Sequence, residues 1–159
     1  MYQRIVVPLD GSNVAEEALG QARELARTLD VPIHVLRVVD TYRAQAIPAT
    51  GMALDYSMLA ELAEEEIEDA NTYIAGVVEG LKHDGLDATG EVLQGPIARQ
   101  IVDATKAGDV IVMCSHGRTG IKRWFLGSVA EEVIRHATVP VLLIRWRGAE
   151  RPGSEAASH

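Results

Sequence analysis

Five short apolar runs, each followed by a turn and then by a stretch of helical period, constrain this chain more than any other feature. The runs are Arg4–Asp10, Ile33–Val39, Leu86–Leu93, Val110–Met113 and Val139–Ile144. Between them, apolar residues recur every three or four positions. The first such series is Val14, Ala18, Ala22, Leu25 and Leu29; the second is Leu59, Ala63, Ile67, Ala70, Ile74, Val77 and Leu81. The third holds Ile97, Ile101, Val102 and Thr105, and the fourth covers Val129–Ala137. Short continuous apolar runs suit buried strands, and the 3.6-residue period suits helices with one face against a core. Parallel strands need crossovers, and those crossovers are right-handed. The alternation therefore predicts an α/β fold: a single-domain open five-stranded parallel sheet with helices on both faces, of flavodoxin or Rossmann type. Leu86–Leu93 is the most polar run and is expected at a sheet edge.

Local signals set the expected boundaries. Asn13 with Glu16 three residues later has capping-box form. Pro32 requires the first helix to have ended before it. Gly85 is a natural stop for the second helix and Gly108 for the third, while Gly95-Pro96 starts the third helix with proline at its first position. Asp40–Tyr56 lacks a period and reads as a mobile connection or lid. Gly148–His159 lacks apolar content and is expected to be disordered, so the chain divides into a domain at 1–147 and a tail at 148–159.

Composition narrows the function classes. A chain of 159 residues with 47% hydrophobic content can bury one core. No apolar run approaches the ~20 residues that cross a bilayer, and Met1–Arg4 leads into a strand rather than a signal-peptide core, so a soluble, cytoplasmic protein is expected. Cys114 is the one cysteine, which excludes an internal disulfide. The net charge is −8, from 15 Lys plus Arg against 23 Asp plus Glu. Such a field repels nucleic acid and acidic membrane surfaces, so neither is an expected partner. The charge is uneven: Glu61 to Asp69 is acidic, whereas Arg118, Lys122, Arg123 and Arg135 cluster in the last third.

That last third carries the chemistry. Val110–Met113 runs into Cys114-Ser115-His116-Gly117-Arg118-Thr119-Gly120, and Gly127-Ser128 then opens a helix. A buried strand delivering a glycine-bearing loop to a helix N-terminus suits an anion, because backbone N–H groups and the positive dipole end converge there. Ligands of open α/β sheets lie beyond the strand C-termini where strand order reverses. On that rule Asp10, Val38 and the 114–120 loop meet at one end of the sheet. The chain lacks the G-x-x-x-x-G-K-[ST] loop, the G-x-G-x-x-G fingerprint and any evident set of nucleophile, base and orienting group, which argues against efficient turnover.

The residues Ile5–Ser12, Leu36–Asp40, Gly95-Pro96 and Ser115–Gly120 through Gly127–Val129 resemble the universal stress protein family, whose fold is also like that of adenine nucleotide alpha hydrolases. Its ATP-binding members carry glycine, two residues, glycine, nine residues and Gly-Ser or Gly-Thr. Here Gly117 and Gly127-Ser128 match, and Cys114 replaces the first glycine. The resemblance implies ATP, with Mg held near Asp10, as a regulatory ligand that is hydrolysed slowly at most. Pro8 and Leu9 would flank the adenine, and Val38 would read it through its main chain. Cys114, Ser115, His116, Gly117, Arg118, Gly120, Gly127, Ser128 and Val129 would surround ribose and phosphates. It also implies a homodimer through strand 139–144, with a protein partner not identified. Two alternatives stand beside it: a dimeric interaction protein without nucleotide, and a slow ATPase.

Plainer readings compete at several positions. Ser128 and Glu131 have the form of a capping box. His116 reads as a loop-stabilising residue and Cys114 as a packed strand-end thiol. Trp124 and Phe125 read as cover for the core or a subunit contact.

Overall fold

The computed structural model describes residues 1–40, 56–115 and 126–145. Each apolar run forms a strand: β1 is Arg4–Pro8, β2 Ile33–Val39, β3 Ala88–Gln94, β4 Asp109–Cys114 and β5 Val141–Ile144. The periodic segments form α1 at Asn13–Leu29, α2 at Tyr56–His83, α3 at Ile97–Asp103 and α4 at Ser128–His136. The sheet is parallel throughout, in the order β3-β2-β1-β4-β5. Strand order reverses at β1, so the crevice demanded by a doubly wound sheet lies between the carboxyl ends of β1 and β4.

Two cores flank the sheet. Ile5, Val7, Ile33, Val35, Val110 and Val112 face α1 and α2, whereas Val6, Leu36, Ile111 and Met113 face α3 and α4. Alternation along strands buried on both sides explains why their sequences are continuously apolar rather than patterned. The expected edge position of the polar third run is borne out: β3 pairs only with β2 among the described residues. Gly90 is the close-approach point there, since a Cβ on it would stand 2.5 Å from Ile74 Cγ2 and 2.8 Å from Val78 Cγ2. Its bare backbone lets α2 press onto the strand.

Several boundaries differ from the sequence reading. β1 ends at Pro8 rather than Asp10, because the Asp10 carboxylate bonds the backbone two residues on and turns the chain. Ser12, not Asn13, caps α1; its hydroxyl accepts the Ala15 N–H, so the third helical residue is Ala15 and Asn13 with Glu16 makes no box. Pro96 is the cap of α3 rather than its first residue. That helix ends at Asp103, and Gly108, at φ +92°, belongs to the turn entering β4. β5 begins at Val141, not Val139. Of the connection expected as a lid, Asp40–Tyr56, Tyr56 instead opens α2, and 41–55 lie outside the described residues, as does the tail at 148–159.

Candidate functional site

The crevice is built first by the β1–α1 turn. Pro8 closes β1, and the Leu9 N–H donates to the Leu36 carbonyl at 2.8 Å, so Leu9 is pinned with its side chain buried. Asp10 Oδ1 accepts both the Ser12 N–H, at 2.9 Å, and the Ser12 hydroxyl. Gly11 has φ +79°, a value that only glycine adopts without strain, and it lets the chain double back into α1. On the neighbouring strand, the Leu36 carbonyl faces β1; by alternation the main-chain groups of Val38 face the same side, beyond the last β1 residue.

β4 supplies the opposite wall. The Ser115 N–H donates to the Ile144 carbonyl at 3.0 Å, and the Ser115 carbonyl accepts the Gly127 N–H at 2.8 Å. This second bond ties the start of α4 to the end of β4. The Ser115 and Gly127 amides are thus both spent within the protein and are not open donors. Gly127 is the N-cap of α4, and among the described residues no side chain caps this helix. Ser128 is therefore the first helical residue and cannot cap; the expected Ser128–Glu131 box does not form, because glycine has taken the cap position. By helix geometry the N–H groups of Ser128, Val129 and Ala130 lack intrahelical acceptors. Glu131, the acidic residue of the first turn, is paired with Arg135 at 2.8 Å, which draws its charge along the helix surface.

Cys114 is buried and its thiol donates to the Val14 carbonyl at 2.8 Å. The side chain thus packs toward α1, as expected of a strand-end thiol, and away from the α4 terminus. Burial pushes the thiol pKa up, with the charges of Glu17 and Asp10 adding to it. A protonated thiol is a poor nucleophile, consistent with a packing role. His116, Gly117, Arg118 and Gly120, together with Lys122, Arg123, Trp124 and Phe125, lie outside the described residues.

Two residues at this end escaped the sequence reading. Arg37, on β2, places its guanidinium 5.7 Å from the centroid of the Tyr73 ring and within 3.4 Å of where a Gly11 Cβ would stand. Burial, then the charges of Glu16 and Asp10, raise the Tyr73 pKa, and Arg37 opposes them. Only the pairing of β2 with α2 brings these residues together, and no spacing in the chain announces it. Among the described residues no group of three or more His, Cys, Asp or Glu is placed to hold a metal by itself. No described helix is long and apolar enough to cross a membrane.

A parallel sheet whose strand order reverses at β1, with helices on both faces, defines an α/β protein of the doubly wound class. The sequence profile of the Universal stress protein family matches residues 1–145, and the chain belongs to that family. It is 36% identical over 147 residues to Universal stress protein MJ0531 of Methanocaldococcus jannaschii, covering 91% of this chain and 83% of that relative. The solved structure of MJ0577 superposes with a TM-score of 0.79 at 26% identity, covering 94% of this chain and 99% of that one. A universal stress protein from Archaeoglobus fulgidus in complex with dAMP superposes at a TM-score of 0.59 and 27% identity, covering 89% and 97% of the two chains.

Proposed function

We propose that this protein binds ATP with Mg in the crevice between β1 and β4, as a ligand whose occupancy regulates partner binding. The observation that supports the reading is the start of α4, where Gly127 is bonded to Ser115 at the end of β4 and, among the described residues, no side chain caps the amides of residues 128–130. A helix terminus in that state suits phosphate oxygens. The complex of the Archaeoglobus fulgidus relative with dAMP supports an adenine nucleotide as the ligand class.

In this reading Pro8, with the main chain of Leu9, flanks the adenine, and Val38 meets it through main-chain groups. Ser128 and Val129 hold phosphate, and Ser115 lies beside the ribose. Cys114, His116, Gly117, Arg118 and Gly120 belong to the loop that completes the enclosure, and Gly127 shapes it. Asp10 fits a cation in part: among the described residues its hydrogen bonds both fall on Oδ1, which would leave the second oxygen for Mg. Magnesium commonly takes one or two carboxylates plus substrate phosphates, so a lone carboxylate is sufficient. When bound, the ion would supply charge that offsets the triphosphate. The protein would work in the cytoplasm as a homodimer paired through β5. Liganded and empty states would differ in their affinity for a partner.

Titration calorimetry with ATP and Mg tests this directly. Saturable one-to-one heat that competes with dAMP is expected. Absence of heat and of any thermal shift at millimolar ATP overturns it and leaves the nucleotide-free interaction protein.

A further inference from the structure

Among the described residues, the outer edge of β3 carries unspent hydrogen-bonding capacity. The Ile33 N–H donates to the Asp87 carbonyl, and the Gly95 N–H donates to the Val39 carbonyl. These two bonds fix the phase of the pairing: odd-numbered residues of this segment turn their main chain toward β2. The N–H and C=O groups of Ala88, Gly90, Val92 and Gln94 therefore point outward. All seven residues of β3 pair in regular register with β2, so the edge is straight and free of bulges, and it holds no proline or lysine. Natural edges are usually blunted by such devices.

α2 overhangs this edge. Between them runs an open cleft of about 630 Å³, lined by Ala75, Val78, Glu79 and Lys82 of the helix and by Ala88 and Gly90 of the strand, with Thr89 and Glu91 also bordering it. Ala88, Gly90 and Val92 lie on the face toward α2, and Thr89 and Glu91 on the opposite one. Glu91 is held by His34 Nε2 at 2.9 Å, yet its side chain is 43% exposed.

We infer that the β3 edge is a docking site for an extended segment of a partner protein, which adds as a sixth strand beneath the flank of α2. Main-chain groups in that row accept only another strand, which sets the conformation of the partner. Side chains alternate along a strand, so every second partner residue enters the cleft and the others lie beside Glu91. The cleft has room for bulky apolar groups against Ala75 and Val78; the exposed carboxylate, in a chain of net charge −8, calls for Lys or Arg at the alternate positions. A second copy of this chain is a poorer occupant. Its β3 would offer only Ala88, Gly90 and Val92 to the cleft and would bring a second Glu91 to the same face.

The test uses the full chain and an acetylated, amidated heptapeptide alternating isoleucine with lysine. Amide hydrogen exchange by NMR is expected to slow by roughly tenfold or more at Gly90 and Val92 when the peptide is present at millimolar concentration. An isoleucine–glutamate peptide should bind at least about fivefold more weakly, and Ala75→Trp, at an exposed helix position, should fill the cleft and abolish binding. Independently of any change in the protein, N-methylation of alternate peptide amides should abolish the protection. Unchanged exchange at Gly90 and Val92, or equal binding by the N-methylated peptide, overturns the inference. So does protection that arises in concentrated protein without peptide and disappears on dilution, because the occupant would then be a second copy.

Discussion

The Gly127 N–H donates to the Ser115 carbonyl at 2.8 Å, and this one bond sets the start of α4 against the end of β4. Because glycine occupies the cap and Ser128 the first helical position, stability and ligand affinity should respond in opposite directions to a charge at residue 128. Ser128→Asp places a carboxylate in the first turn, where it interacts favourably with the helix dipole by about 0.3–1 kcal/mol. The same carboxylate would stand where the proposed phosphate binds. The expected outcome is a small rise in melting temperature without ligand, and a loss of ATP affinity of about tenfold or more by calorimetry.

Asp10 has two tasks that substitution can separate. Its Oδ1 organises Ser12, the cap of α1, and its charge is proposed to serve Mg. Asp10→Asn keeps the acceptor and removes the charge. Stability should change by less than about 0.5 kcal/mol, while the Mg-dependent part of ATP binding falls away. Asp10→Ala should lose the same Mg dependence and a further ~1 kcal/mol through the turn. Denaturant melts paired with ATP titrations at varied Mg separate the two effects.

Cys114 occupies the place of a family glycine, but its thiol is bonded to the Val14 carbonyl on the α1 side of the sheet. Restoring glycine should therefore cost stability without improving binding. Cys114→Gly is expected to lose about 1–3 kcal/mol through lost packing and a freer backbone. Its ATP affinity should stay within about threefold of the parent, a difference of less than 1 kcal/mol. In the folded parent, burial raises the thiol pKa, so alkylation by iodoacetamide near neutral pH should be slow and should accelerate in urea.

The sheet was legible because β-branched runs buried on both faces contrast sharply with helices of one apolar stripe. Element ends were harder to read. Capping depends on which of two adjacent polar residues reaches an amide, and Ser12 beside Asn13, like Gly127 beside Ser128, is decided by backbone geometry rather than by residue type. At the site, Asp10 and Val38 were visible as residues near the carboxyl ends of β1 and β2. The engagement of the Ser115 and Gly127 amides was not, since backbone bonds between a strand end and a returning chain leave no mark on side-chain identity. Arg37 and Tyr73 meet only through packing between β2 and α2. The ion pair of Arg4 with Asp109 likewise joins residues 105 apart in the chain.

That pair makes a prediction at the other end of the sheet. Arg4 Nη2 lies 2.6 Å from Asp109 Oδ2, and the carboxylate is fully buried. Burial alone would raise its pKa, but the hydrogen bonds from Arg4 and the Lys106 backbone, with the Arg4 charge, hold it below the ordinary carboxylate range. A pKa lower in the folded than in the unfolded state stabilises the fold above the unfolded value, about 3.9, and the contribution is lost as pH falls through the folded value. Asp109→Asn should flatten that part of the acid limb in urea melts below about pH 4. Asp109→Ala leaves the Arg4 guanidinium without its carboxylate and should cost about 3–5 kcal/mol at pH 7.

Among the described residues β5 pairs only with β4, and its outer edge supports the proposed dimer. Leu142 is 42% exposed on this strand, whereas Val141 and Leu143 pack against the core over α3 and α4. A large apolar side chain on an unpaired edge is the kind of residue that a twofold strand pairing covers. Leu142→Glu would set like charges near one another across such an axis, while leaving an already exposed position exposed. Light scattering at micromolar concentration should give a dimer for the parent and a monomer for the variant, both with unchanged circular dichroism. A parent that scatters as a monomer removes β5 from consideration as the interface.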